Sequence, residues 1–502
     1  MTSSSLTPGA APLPPWSGPA RVTAATLTGL ALAVVIAYLV ATGNAVLALG
    51  LLIAVPAAHI AVRYPLSALC MWLLLAPFVV ETFGGGFRMA FYVIHRALPL
   101  AAVINVMLAA AFGARPRLPQ LTWAEAAMAG YLVITQLSIL YSASSMMESV
   151  LHLYDRIFVP MCLYLMVRYI QPDERHLRRL IPIVIFVLLS QTVIGALQWI
   201  APGVLPGGWD YRLELRTTGS LRQASVYGTT MLFAALLLLH AGMNQRHRLA
   251  GRFELWLVPL AFAMVFMTYS RASWLAGVIV VLGLFALYPR YVTKLSIGFL
   301  VVMVVLLLSG AIDTQVEIAQ NRFLSESSEQ SALSRLPVMA ASVRMLQRRP
   351  ITGWGYDSFD EYDRQFQGAV GGLVVPESDH ASHNVYLTIL AEQGFPGFIL
   401  FMGPFFYWLA RSRTAWRTMP VSGMMSRNLL VCLWLMLLSH VVINNYANMR
   451  SEWGLGLWWV TLGIIASLVV RYHPVAIAQA ARAERDPEQP DTGTRPVGSV
   501  PP

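Results

Sequence analysis

Uncharged apolar runs recur along almost the whole chain, separated by short clusters of Arg, Lys, Gly and Pro. About 14 of these runs reach the roughly 20 residues needed to cross ~30 Å of hydrocarbon. They centre near Leu32, Leu52, Leu74, Val103, Gly130, Leu163, Leu188, Leu236, Phe262, Val280, Val304, Phe398, Leu435 and Gly463. Lipid offers no partner for a peptide N–H or C=O, so each run predicts a helix, which satisfies its own backbone. The pattern predicts an all-α fold, a polytopic transmembrane helical bundle of about 12–14 spans. Only 313–383 is long enough to form structure of its own outside the bundle, as one large loop containing short helices.

Composition agrees. With 57% hydrophobic and 12% charged residues over 502 positions, the chain is too apolar to cover a water-soluble surface. The net charge of +10 does not point to nucleic acid, because in such a chain the placement of charge carries more information than its sum. Basic connections recur at 115–117, 168–179, 246–252, 290–294 and 411–427 and after Arg471. With an inside amino terminus, all of them fall on the cytoplasmic side, and so do both termini. The predicted organisation is a disordered cytoplasmic stretch 1–21, N-terminal membrane helices 22–205, a central region 206–410, C-terminal membrane helices 411–473 and a disordered cytoplasmic tail 474–502. The first run reads as an uncleaved start-transfer helix, since many spans follow it. The three cysteines, Cys70, Cys162 and Cys432, sit in apolar runs as small core residues, and no metal-ligand spacing occurs.

Outer connections should be poor in Arg, yet several are not. Arg212, Arg216 and Arg222 surround one of them, and Arg271 lies in a tight turn between two helices. The long loop adds Arg322, Arg335, Arg344, Arg348 and Arg349. Cations gathered against the positive-inside pattern point to an anionic ligand, and the guanidinium fork suits phosphate oxygens. Snorkelling or lipid head-group contact is the competing reading, strongest for Arg348 and Arg349. Within the loop, Leu336, Met339, Ala340, Val343 and Leu346 recur at helical spacing, which predicts one amphipathic helix over 334–349, ended by Pro350.

His383 precedes the next apolar helix, where the positive helix end and neighbouring arginines both disfavour imidazolium. A neutral histidine at the outer surface is a candidate general base, against the simpler role of capping or packing. Glu392, nine residues on, lies about 13 Å deeper if the helix is continuous. Pairing with an arginine and contact with substrate are equal readings for it. Asp155 with Arg156, and Glu125 with a neighbour, read as local ion pairs. His440, Asn444 and Asn445 read as hydrogen-bonding groups between helices.

Three passages, taken in order, resemble the O-antigen ligase superfamily, which also includes polysaccharide polymerases and pilin oligosaccharide transferases. They are Arg216-Thr-Thr-Gly219, Ser270-Arg271-Ala272, and Pro350-Ile-Thr-Gly353-Trp-Gly355 followed by His383-Asn384-Val-Tyr-Leu387 and Glu392-Gln-Gly394. The resemblance covers about 210–400. It makes 206–410 a ligase-like catalytic region and implies a metal-independent, inverting glycosyltransferase without a cofactor, in a bacterial inner membrane, working at the periplasmic face. The implied donor is an undecaprenyl-diphosphate-linked glycan. The implied acceptor is lipid A core, or a growing polysaccharide if the protein is an O-antigen or exopolysaccharide polymerase. By the same resemblance Arg216 and Arg271 hold the diphosphate and His383 deprotonates the acceptor. Arg222, Asn384, Glu392, Arg335 and Tyr386 are candidate substrate contacts, and Arg222 competes with Arg216 for the phosphates. A transporter or flippase of the same lipid is the rival from another class. It predicts ionisable or helix-breaking residues near mid-membrane in two matching halves, whereas the charges here cluster on one face.

Overall fold

The computed structural model describes residues 64–79, 90–111, 119–142, 145–206, 209, 216–309, 313–324, 333, 335–368, 382–446 and 451–485, with single positions elsewhere. The stretch 1–21 and the apolar runs near Leu32 and Leu52 lie outside the described residues, apart from isolated positions.

Every regular element described is helical, and no strand occurs among the described residues. In chain order these are α1 (Pro65–Val79), a π-helical turn (Tyr92–Ala97) leading into α2 (Leu98–Ala111), α3 (Trp123–Ile139), and α4 (Met146–Leu153) joined through a second π-turn (Tyr154–Phe158) to α5 (Val159–Ile170). Then come α6 (Glu174–Ile200), α7 (Ala224–Asn244), α8 (Leu249–Phe266), α9 (Arg271–Leu287) and α10 (Pro289–Leu308). The long loop contributes α11 (Asp313–Leu324), α12 (Arg335–Arg348) and α13 (Phe359–Phe366), and the chain ends with α14 (Val385–Thr418), α15 (Arg427–Asn444) and α16 (Glu452–Arg485). The protein is a polytopic α-helical bundle, and each apolar run from Leu74 onward falls on one of these helices. Among the described residues, seven helices are long and apolar enough to cross a membrane. Shorter apolar helices, α1 and α9 among them, pack beside them.

Two helices form the centre. In α7 89% of the apolar window is buried and in α16 94%, which a helix reaches only when surrounded by others. α7 packs on α6, α8 and α15, while α16 packs on α5 and α14. The outer helices keep apolar residues exposed, among them Leu275, Val278 and Leu282 on one face of α9 and Phe299, Leu300, Val301 and Val304 on α10. Such faces suit hydrocarbon rather than water.

Three of the basic connections, 168–179, 411–427 and the one at Arg471, meet at one end of the bundle. There Arg471 donates to the Gln171 carbonyl at 2.9 Å and Tyr472 to the Met425 carbonyl at 3.3 Å. Near this end Glu125 caps its own helix through Thr122 and receives Tyr164 Oη at 2.7 Å and Arg168 Nε at 2.9 Å. Arg168 is almost fully buried, with its guanidinium 5.3 Å from the Trp408 ring.

Three expectations need correction. Asp155 and Arg156 are not a pair with each other. Asp155 accepts a fork from Arg96 at 2.7 and 2.5 Å, and Arg156 reaches Glu452 at 3.4 Å and Asp357 at 3.8 Å. The π-turn at 154–158 widens the helix there and points neighbouring residues at different partners. The tail does not begin at 474 as a coil, because α16 continues to Arg485 through an Ala-rich stretch of good helix formers. His440 makes no interhelical hydrogen bond among the described residues and instead packs its ring 5.2 Å from Trp458.

Replacing Glu125 with Ala leaves the Arg168 charge buried without its carboxylate. It should lower stability by roughly 3–5 kcal/mol, whereas pairing it with Arg168→Met should restore most of the loss. Thermal unfolding of the detergent-purified variants reads the difference.

Candidate active site

The Arg216 segment is gripped by two glutamines. Gln191 and Gln198 lie seven residues apart on α6, two turns that place both amides on one face. Gln198 Oε1 accepts from the backbone N–H groups of Thr218 and Gly219, each at 3.1 Å, and its Nε2 donates to Thr218 Oγ1 and to the Gly219 carbonyl at 3.0 Å. Gln191 repeats the arrangement on Ser220, accepting from its N–H at 3.1 Å and donating to its hydroxyl at 2.6 Å. Gly219 is required here: φ is 59°, and a Cβ would sit 2.2 Å from Gln191 Oε1. Arg222 ends the turn, also left-handed at φ 58°.

This segment then meets the turn that carries Arg271. The Thr217 N–H donates to the Met267 carbonyl at 3.1 Å, and Trp199 Nε1 donates to Thr217 Oγ1 at 2.7 Å. Four residues after Met267, Arg271 opens α9 on an exposed position, with Ser270 as the N-cap. Two arginines 55 positions apart in sequence thus flank a single backbone hydrogen bond.

A second assembly surrounds His383. Asn384 caps α14, its Oδ1 accepting from Tyr386 and Leu387 N–H at 3.0 Å. His383 stands just before the cap, half-buried, with φ 50°. The helix does not run on from there. Gly394 breaks it at φ 66° and ψ −170°, and Pro396 supplies no N–H, so Glu392 stands on the last turn before a kink.

The kink frees backbone groups that the loop takes up. Trp354 N–H donates to the Ala391 carbonyl at 3.1 Å, Gly355 N–H to the Glu392 carbonyl at 2.8 Å, and Phe395 N–H returns to the Pro350 carbonyl at 2.8 Å. Glu392 is buried, and its Oε1 accepts from Phe359 N–H at 3.3 Å, so its carboxylate holds the start of α13. This contact gives Glu392 a backbone partner in the loop. Tyr141 donates to the Thr352 carbonyl at 2.7 Å; burial raises the pKa of this hydroxyl against the opposing charge of Arg349, so it keeps its proton. Asp357 binds His152 at 2.6 Å. The expected loop helix is α12, with Val338, Ala341 and Met345 turned inward. Arg349 lies 4.1 Å over Trp354 and Arg344 donates to the Phe366 carbonyl at 2.7 Å, so both serve the fold of the loop.

The remaining candidates converge on the end of α15. Asn384 Nδ2 donates to Asn445 Oδ1 at 3.3 Å, and Arg335 Nη1 donates to the Tyr446 carbonyl at 3.1 Å. Tyr386 lies on the first turn of α14, two residues after Asn384. α15 in turn packs along α9, the helix that begins at Arg271. Asn445 joins helices as expected, through Asn384. The Tyr446 acceptor was invisible in sequence because it is a carbonyl, common to every residue. The two glutamines were also missed, although two amides seven apart in an apolar run mark one polar face.

Residues 256–402 match the family described as O-antigen ligase. Over this stretch the chain is similar to the O-antigen ligase superfamily. The match encloses Arg271, Arg335, His383, Asn384, Tyr386 and Glu392, while Arg216 and Arg222 precede it. No curated protein matches the chain. The matched domain supports ligase- or polymerase-type glycosyl transfer in surface polysaccharide biosynthesis for this multi-pass membrane protein, with lipid-linked glycan donors and polysaccharide acceptors.

Gly353 tests the ligase-domain loop directly. Its φ is 63°, and a Cβ would meet the Glu392 carbonyl oxygen at 2.2 Å. Gly353→Ala should unseat residues 350–368, seen as faster hydrogen exchange confined to that segment, with transfer falling more than about 10-fold through misplacement.

Proposed function

We propose that the protein transfers a glycan from undecaprenyl diphosphate to an acceptor hydroxyl at the periplasmic face of a bacterial inner membrane, as an inverting O-antigen ligase. The observation that carries this reading is the Thr217–Met267 hydrogen bond, which ties the Arg216 segment to the turn before Arg271 in a chain whose residues 256–402 match the O-antigen ligase family. Arg271 stands at the start of α9, where the helix end already carries partial positive charge. Two guanidinium groups and a helix N-terminus together suit a diphosphate.

In this mechanism His383 takes the proton of the acceptor hydroxyl. The freed oxygen attacks the anomeric carbon, the bond from that carbon to the diphosphate oxygen breaks, and the diphosphate leaves with the electron pair. Attack opposite the leaving group inverts the configuration. The departing diphosphate is a stabilised anion and needs charge neutralisation, which Arg216 and Arg271 supply. Of the two nearby arginines, Arg216 takes this role, since it adjoins the tied Thr217. Arg335, Asn384 and Tyr386 frame the acceptor side of the site, and Arg222 borders the donor side.

His383→Ala and Arg271→Ala should each lower transfer by about 10²–10⁴-fold at equal protein level. Arg216→Ala should match Arg271→Ala, and Arg222→Ala should lose less than either. Full activity in both His383→Ala and Arg271→Ala would overturn the assignment. Incubating purified protein with a lipid-linked repeat and no second acceptor separates the polymerase reading, which requires laddered, lengthening products.

A further inference from the structure

The C-cap of α15 and the residue after it lie beyond the matched domain, yet they receive two separate parts of the candidate site. Asn445 accepts from Asn384, and the Tyr446 carbonyl accepts from Arg335. Asn384 directly follows His383 as the cap of α14, and Arg335 opens the loop helix α12.

The local geometry explains why such a platform is needed. His383 has φ 50°, a left-handed conformation that costs a non-glycine residue roughly 1–3 kcal/mol and persists only where its surroundings over-determine it. On the side before it, buried Ser382 bonds to the Asn384 carbonyl at 3.0 Å and to the Thr388 hydroxyl. On the side after it, the Asn384 side chain is used twice. Its Oδ1 caps α14, and its Nδ2 is left to donate outward to Asn445. Asn445 is oriented to receive it: its own Nδ2 donates to the Val441 carbonyl at 2.9 Å, which leaves Oδ1 facing Asn384 as an acceptor. An amide at position 445 therefore fixes a direction, where an apolar side chain would only fill space.

We propose that Asn445 is a positioning residue for His383, holding its imidazole through Asn384 in the orientation that accepts the acceptor proton; this role in transfer rests on the function proposed above. Arg335 on Tyr446 fastens the loop helix to the same corner, so the base and the loop keep one register.

The test uses the full-length purified protein and two readouts. The first is the rate at which diethyl pyrocarbonate modifies His383, followed by peptide mass spectrometry, which needs no catalysis. The second is kcat and donor KM for glycan transfer. Asn445→Ala should change the modification rate of His383 at least 3-fold and lower kcat about 10–100-fold, with donor KM within about 3-fold. Asn445→Asp retains an acceptor oxygen for Asn384 and should recover most of both. Asn445→Gln keeps the amide but moves its acceptor oxygen by one methylene and should lower kcat about 3–10-fold, which keeps the proposal testable if Asn445→Ala folds poorly. Unchanged His383 reactivity and kcat in Asn445→Ala would refute the role, and so would equal damage from Ala and Asp, which marks a packing loss. A change in His383 reactivity while His383→Ala remains active would refute the general-base reading and leave the positioning contact standing.

Discussion

A kinked helix start and a loop exchange three backbone hydrogen bonds, and the outer architecture depends on that exchange. Gly394 and Pro396 end the first turns of α14 early, so the Ala391 and Glu392 carbonyls face outward instead of along the helix. Trp354 and Gly355 take them, and Phe395 answers from the other side. A buried carbonyl without a partner costs about 1–3 kcal/mol, so kink and loop stabilise each other. The turn carrying His383, the helix carrying Arg335 and the aromatic cap around Trp354 are all referenced to this joint.

The bundle separates its two ends by the kind of charge each carries. At the basic end, Arg168 and Glu125 are paired, buried and stacked on aromatic rings, a structural use of charge. At the end with the long loop, carboxylates and cations form two separate groups, Arg96 with Asp155, and Arg156 with Glu452, Asp357 and His152. Arg271 stands at an exposed helix start. Charge that is locked at one end and presented at the other gives a symmetric-looking bundle a working face.

Much of this was legible in the sequence. Apolar run lengths gave the helices from Leu74 onward, and the spacing from Leu336 to Leu346 gave α12 to within a residue at each end. Arg216, Arg271 and His383 stood out because each sits where the pattern of its surroundings disfavours it. What could not be read were directions and breaks. The Gly394-Phe-Pro396 passage lies inside an apolar run, so hydropathy carries across a kink that backbone chemistry imposes just beyond Glu392. Asp155 and Arg156 look like partners because they are adjacent, yet a π-turn sends them to residues 59 and 296 positions away. The platform at 445 and 446 depends on amide orientation and a carbonyl, neither of which has a sequence signature.

The glutamine grip on the Arg216 loop has an evolutionary consequence. Gln191 and Gln198 hold main-chain N–H and C=O groups and two small hydroxyls, and neither touches an arginine side chain in these contacts. Side chains at 216 and 222 can therefore change without loosening the anchor, because the loop is fastened by what every residue shares. Such a scaffold lets selection retune the ligand it faces one side chain at a time, while the turn itself stays inherited.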